Sequence, residues 1–366
     1  MSGPRYTPLV ATLPASVPFV GPEAQERARG RTFKARVGAN ESVFGPSPKA
    51  IQAMADEAAR VWQYGDPENF DLKNALAAHH GVAAANIVIG EGIDALLGYL
   101  VRMVVSEGTP VVTSLGAYPT FNYHVAGFGG VLHTVPYKDD AEDPEAIIDL
   151  ARQTNTPLIY FANPDNPMGT WHEAAAIQTL IDATPDDAVL CLDEAYIEFA
   201  PKGTAPPLDV SRPNIIRFRT FSKAYGMAGA RIGYGIAHED LAMAFNKVRN
   251  HFGINRIAQA GAFAALGDQQ YLAQVQADVR SACARISAIA ADNGLEALPT
   301  ATNFVAIDCG RDPAYAKSVL DGLIERDVFV RMPFVEPQNR CIRVSAGRPA
   351  DLDILAEALP AVLKAL

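Results

Sequence analysis

The residue whose type and setting first suggest covalent chemistry is Lys223, in Thr220-Phe221-Ser222-Lys223-Ala224-Tyr225-Gly226-Met227-Ala228-Gly229. The segment follows a strand-like run, and its glycines permit the tight backbone that would point one lysine inward. An amine there can condense with an aldehyde and later act as a general base, if burial or a nearby cation lowers its pKa. A solvated loop lysine is the competing reading. Arg231, eight positions on, could clamp a phosphate with two parallel hydrogen bonds or make an ordinary salt bridge. Upstream, Ala188-Val189-Leu190-Cys191-Leu192-Asp193-Glu194-Ala195-Tyr196 is an apolar run ending in an acid. Ligands of open α/β sheets gather at the carboxyl ends of strands, so Asp193 is placed to keep a pyridine nitrogen protonated. Asn163-Pro164-Asp165-Asn166-Pro167-Met168-Gly169 could present Asn166 to a ring oxygen, although such a loop alone is more often a turn. Gly90-Glu91-Gly92-Ile93-Asp94-Ala95 joins strand to helix, where backbone N–H groups can hold a phosphate. The same spacing also fits a permissive dinucleotide fingerprint, but the next strand ends in Thr113-Ser114-Leu115-Gly116 without the acid that would hold a ribose.

The elements that must position these groups alternate between helical and strand periods from Ser47 onward. Ser47 and Pro48 suit a helix start running to about Trp62, and Asp71 a cap for a helix ending at Gly81. Strands are expected at Asn86 to Ile89, Pro110 to Thr113, Val131 to Tyr137, Pro157 to Phe161, Ala188 to Leu192, Asn214 to Arg219 and Arg231 to Ala237. This predicts an α/β fold with a mostly parallel, helix-covered sheet. Only the last two strands have a link too short for a crossover helix, which predicts an antiparallel pair. Helices are expected at about His238 to His251 and Asn255 to Asn293, with strands near Asn303 to Ile307, Val328 to Arg331 and Cys341 to Val344. The expected division is an N-terminal arm over 1–35, a large domain over 36–245 and a small α+β domain over 246–366. The arm is rich in proline and reads as lying on another surface, such as that of a second subunit.

A chain of 366 residues exceeds what one core usually organises. Its net charge of −10 opposes binding to nucleic acid or an anionic membrane, and no apolar run reaches the length of a membrane helix. The four cysteines, Cys191, Cys283, Cys309 and Cys341, form no metal spacing, and reduced thiols with a cytoplasmic location are expected. No zinc-protease or serine-hydrolase signature is present. His79 and His80 read as helix-surface residues.

Together, Asn163 to Gly169, Asp193-Glu194-Ala195-Tyr196 and Ser222-Lys223 to Arg231 resemble the class I/II, fold-type-I aminotransferases, and most closely the histidinol-phosphate aminotransferase branch. Asn40-Glu41 before Gly45-Pro46-Ser47-Pro48, Tyr64 with Asp66, Thr302-Asn303-Phe304-Val305, and Arg343 within Cys341-Ile342-Arg343-Val344 extend the likeness over nearly the whole chain. The resemblance implies pyridoxal 5'-phosphate as cofactor, held by Lys223 as a Schiff base. It implies that Asp193 pairs with the pyridinium nitrogen, that Asn166 and Tyr196 hold the ring's phenolic oxygen, and that Arg231 and Ser222 bind the phosphate with backbone groups of Gly92, Ile93 and Asp94. Tyr118 would stack on the ring, with Phe121 a rival for that place. Tyr64 would reach the cofactor of a neighbouring subunit, which implies a homodimer with shared sites. Arg343, helped by Arg331, would grip the substrate's carboxylate or phosphate, and 2-oxoglutarate would be the usual acceptor.

Three departures bear on the amino donor. The branch usually carries Pro-Tyr where this chain has Pro18-Phe19, which lacks the hydroxyl. Arg249-Asn250-His251-Phe252-Gly253-Ile254-Asn255-Arg256 replaces the more usual Arg-x-Pro-Phe-Asn-Val-Asn, making His251 and Arg256 candidates for an altered pocket, with plain helix surface the competing reading. Asp165 stands where asparagine is common. The donor is therefore expected to be histidinol phosphate or an aromatic or other neutral L-amino acid. A lyase or decarboxylase of the same fold is the alternative, and a nucleotide-binding protein a more distant one.

Overall fold

The computed structural model describes residues 3–15 and 20–366. Its centre is a seven-stranded sheet in the order Ile87–Gly90, Gly233–Ala237, Ile215–Thr220, Val189–Asp193, Leu158–Ala162, Pro110–Ser114, Val131–Val135. Gly233–Ala237 runs antiparallel to both of its neighbours, and the other pairings are parallel. The expected antiparallel pair is thus present, because residues 221–232 hold only the single turn Ala228–Ala230 rather than a crossover helix.

The central strands are apolar throughout because both faces are covered. Along Leu158–Ala162, residues 158, 160 and 162 pack with Leu96, Leu100 and Phe121, whereas Ile159 and Phe161 pack with Ile147, Ile177 and Leu180. That alternation is the period-2 consequence of strand geometry. The carboxyl ends at Gly90, Ser114, Ala162, Asp193 and Thr220 each lead into one of the loops that carry candidate residues.

The C-terminal part holds a three-stranded antiparallel sheet in which Phe304–Asp308 lies between Cys341–Ser345 and Glu296–Ala297. Helices Gln269–Asp292 and Pro313–Glu325 pack on it, and Pro349–Leu363 packs on both helices. Residues 22–37 dock here as well. Ala35–Arg36 pairs in parallel with Val328–Phe329, and Arg29 and Arg31 meet Asp327. The proline-rich start is therefore not structureless, since Pro22–Arg29 is helical with Gly30 in the left-handed conformation at its end.

Several expected boundaries move. The helix expected over His238 to His251 is only Glu239–Ala244 with a tight turn Phe245–Lys247. Asn255 caps the next helix by accepting from the Ala258 N–H at 2.8 Å, which forces the preceding residues out of helical geometry. The long helix expected from Asn255 breaks at Gly267-Asp268 into Arg256–Leu266 and Gln269–Asp292. The helix expected to be capped by Asp71 starts earlier, at Phe70 with Asn69 at its N-cap, and the Asp66 carboxylate accepts from the Phe70 N–H at 2.7 Å. His80 is half-buried, with Nε2 2.9 Å from the Tyr234 hydroxyl, rather than on a free surface. All four cysteines are buried and unpaired.

Candidate active site

The loops at the strand ends enclose a cavity of about 580 Å3, within the range of small-molecule sites. Lys223, Asp193, Tyr196, Asn166, Ser222 and Arg231 line it, as do Ile93, Asp94, Tyr118, Arg331 and Arg343. Residues separated by as much as 250 positions thus converge, as open α/β topology allows.

Lys223 Nζ donates to the Asn40 carbonyl at 3.1 Å and lies 5.5 Å from the centre of the Tyr196 ring. Burial, reinforced by Arg343, draws its pKa down to about 8, so a neutral amine is accessible in mildly alkaline solution. Its loop is fixed by Gly226, whose φ is +69° and whose missing Cβ would lie 2.2 Å from the Gly45 carbonyl oxygen. Asp193 is buried; burial pushes its carboxyl up to about 6, opposed first by a hydrogen bond from the Tyr160 hydroxyl at 2.8 Å. The Ala195 N–H supplies a second donor at 3.0 Å. Tyr196, pushed up to about 12 by burial, accepts from Asn40 Nδ2 at 3.1 Å.

At the other end, Arg231 Nη1 donates to Ser222 Oγ at 3.4 Å and to the Ala228 carbonyl at 2.9 Å. Its Nη2 would be only 2.6 Å from a Cβ on Gly92. A side chain at 92 would fill this cradle, and glycine leaves it open. The side chain of Glu91 does not cap the first turn of the helix Gly92–Val104, because it turns to Tyr99 and Asn250. A guanidinium beside an uncapped helix N-terminus suits a phosphate. The residues therefore fit an aromatic aldehyde with a phosphate tail: an amine of lowered pKa, a buried acid and a cationic cradle.

Arg343 lies on the strand Cys341–Ser345, drawn down to about 10 by burial. One of its nitrogens donates to Asn166 Oδ1, which leaves the Asn166 amide N–H groups to the cavity, and its Nε has no partner. Arg331 bridges to the backbone of Arg343, and its guanidinium donates to the Val20 carbonyl at 3.1 Å. Asp165 is buried beneath this loop, held by the Tyr137 hydroxyl at 2.7 Å and the Met168 N–H at 2.9 Å. Burial pushes it up to about 6.

The model of the family described as aminotransferase class I and II matches residues 34–359. The chain belongs to this family. It is 33% identical to histidinol-phosphate aminotransferase 2 of Carboxydothermus hydrogenoformans, over 96% of this chain and 97% of that one. It is 34% identical to the histidinol-phosphate aminotransferase of an Anaeromyxobacter species, over 99% and 100%. Among solved structures, the histidinol-phosphate aminotransferase of Sinorhizobium meliloti in complex with pyridoxal-5'-phosphate is 54% identical, with a TM-score of 0.97 over 100% of this chain and 99% of that one. The fold-type-I, pyridoxal-phosphate-dependent aminotransferase architecture of the histidinol-phosphate branch, expected from the motifs, agrees with these likenesses. Threonine-phosphate decarboxylase of Porphyromonas gingivalis, at 20% identity and a TM-score of 0.75, shares the fold alone.

Some of the candidate residues lie away from this chain's cavity. Phe121 is not a cavity wall, since it is wholly buried and stacks on Tyr160 at 4.5 Å. His251 and Arg256 do not line the cavity. Gly253 sits so close to Glu91 that a Cβ would be 1.6 Å from its Oε1, and the segment turns away from the cavity there. His251 is exposed, and Arg256 pairs with Glu57 at 3.2 Å and donates to the Tyr64 carbonyl at 3.0 Å. Tyr64 is itself 77% exposed, remote from this chain's cavity, with its ring against Phe252 at 4.8 Å. Phe19 lies outside the described residues. Asn40 and Tyr160 are among the cavity contributors that received no role from the sequence. A tyrosine inside an otherwise apolar strand was the available signal for the second, because a buried hydroxyl needs a partner.

Proposed function

We propose that this aminotransferase binds pyridoxal 5'-phosphate covalently through Lys223 and moves an amino group from histidinol phosphate to a 2-oxo acid such as 2-oxoglutarate. The carrying observation is the convergence of Lys223, Asp193 and Arg231 on one cavity that also holds Arg343. When bound, the cofactor supplies a pyridine ring that withdraws electrons from the substrate carbon. Asp193 would hold the ring nitrogen, Asn166 and Tyr196 the phenolic oxygen, and Tyr118 one face. Ser222, Arg231 and the backbone of Gly92, Ile93 and Asp94 would hold the phosphate. Lys223, once displaced by the substrate amine, would carry the proton between the substrate carbon and the cofactor, a role suited to an amine titrating at about 8.

Arg343, with Arg331 beside it, would take the donor's phosphate, or a carboxylate when an oxo acid or amino acid occupies the same place. The names of the similar proteins favour histidinol phosphate over an aromatic or neutral amino acid. A homodimer belongs to this reading, with Tyr64 crossing to the partner's phosphate site. The exposure of Val61, Trp62, Tyr64, Phe70 and Phe252 supports it, because large apolar side chains in one region mark contact surfaces. The division into a large domain over 36–245 and a small one over 246–366 belongs to it too.

The test is the absorbance spectrum of the protein with pyridoxal phosphate, before and after histidinol phosphate is added without an oxo acid. Conversion of the visible band to a near-ultraviolet one is expected. A visible band that persists with histidinol phosphate but converts with an aromatic amino acid moves the donor assignment. Product release without any need for an oxo acid favours a lyase.

A further inference from the structure

Tyr160 is wholly buried, and neither the motifs nor the similarity to other proteins gives it a task. In the parallel register it pairs with Cys191, and Ala162 pairs with Asp193. Tyr160 and Asp193 therefore point to the same face of adjacent strands, two residues apart, within diagonal reach of a long side chain. Phe121 stacks on the Tyr160 ring at 4.5 Å and 16°, which fixes the ring's plane. The hydroxyl then has one place to go, and it donates to Asp193 Oδ2 at 2.8 Å. The other oxygen of Asp193 accepts from the Ala195 N–H at 3.0 Å. Both oxygens are thus tied down before any ligand enters, while the residue still borders the cavity.

We propose that Tyr160 is a positioning residue for the cofactor's ring nitrogen: its hydroxyl sets the plane of the Asp193 carboxylate and keeps it charged toward the ring. The inference rests on the cofactor reading above. The need for such a donor is visible in the surroundings. Glu194 is the next residue, and the buried Glu142 lies near enough to act on Tyr160. Burial and negative neighbours both favour protonating Asp193, and a protonated acid would have no charge to offer a pyridinium. Lys223 is the nearby cation, and it is engaged with the Asn40 carbonyl. The tyrosine hydroxyl is the uncharged donor that favours the carboxylate without adding a competing cation. A tyrosine present only to fill the core would need an acceptor of any kind and would leave cofactor binding indifferent to its loss.

Tyr160→Phe removes the hydroxyl and keeps the stacked ring. The experiment measures the pyridoxal phosphate dissociation constant and the visible band of the bound cofactor in the full-length protein, Tyr160→Phe, Asp193→Ala and the double variant. Asp193→Asn replaces Asp193→Ala should the latter fail to fold. The expected result is a constant raised about tenfold or more in Tyr160→Phe, with the band displaced in the same direction as in the Asp193 variant. Where Asp193 is already replaced, Tyr160→Phe should change the constant less than about twofold, because a residue acting through another has nothing left to act on. An unchanged constant and band in Tyr160→Phe, or the same factor in both backgrounds, overturns the inference and leaves the cofactor reading standing. Undiminished binding in the Asp193 variant overturns the inference together with the assignment of Asp193 to the ring nitrogen, and absence of any binding by the parent protein overturns the cofactor reading.

Discussion

Replacing Arg343 with glutamine separates an arginine that grips the donor's anion from one that only braces Asn166. One of its nitrogens is committed to Asn166 Oδ1, and the guanidinium still borders the cavity. Burial lowers its pKa only to about 10, and the side chain stays cationic near neutrality. Two charge-assisted hydrogen bonds to a phosphate, at about 1.5 kcal/mol each, give roughly 3 kcal/mol, or about a hundredfold in kcat/KM. The assay is the first half of the reaction, followed by the visible band after rapid mixing with histidinol phosphate or with dephosphorylated histidinol. Arg343→Gln should lose about a hundredfold with the phosphorylated donor and only a few-fold with the other, since the second never made the contact. An equal loss with both donors refutes the reasoning and assigns Arg343 to the bracing of Asn166. No loss with either removes Arg343 from the site.

Lys223→Ala should bind pyridoxal phosphate without a borohydride-fixable bond, and peptide mass mapping of the reduced parent should find the adduct at Lys223. Because Lys223 titrates at about 8 in the fold, below its ordinary value, capture of pyridoxal phosphate by the cofactor-free protein should accelerate as pH rises through about 8. In Arg343→Gln, with a repelling cation gone, that midpoint should move upward; an immobile midpoint would show that burial alone sets it. Glu194→Gln should destabilise the cofactor-free protein by about 3 kcal/mol, read from thermal or denaturant unfolding. Its carboxylate compensates Arg217, at 2.6 Å, and Arg219, at 2.8 Å, and a change under about 1 kcal/mol would show that water reaches those cations. His251→Ala should leave the kinetics of every donor unchanged, because His251 does not line this chain's cavity; a donor-specific change would place it in a site shared with a second copy.

Much of the site was legible because its parts carry local signals. Lys223 stands between a buried strand and Gly226, Asp193 ends an apolar run, and Gly92 opens a helix. Each placement has a local cause in strand ends, glycine conformations and helix starts. Boundaries were less legible where a cap decides them: Asn69 rather than Asp71 precedes one helix, and Gly267-Asp268 divides another. The unusual composition of segment 249–256 suggested a pocket, but His251 and Arg256 do not line the cavity of this chain. Contacts with Glu91 and Tyr64, distant in the chain, fold it away.

The sequence by itself determined the alternation of strands and helices, the reversed strand after a link too short to cross over, and most of the candidate residues that line the cavity. Those follow from periodicity, loop length and side-chain type, which are properties of neighbouring residues. Only the tertiary structure decided that Tyr160 meets Asp193, that Asn40 touches both Lys223 and Tyr196, that Tyr118 rather than Phe121 faces the cavity, and that Arg256 serves Tyr64. These depend on strand register and on which face of an element turns inward. The packing of the whole chain sets them, and no local stretch of sequence encodes them.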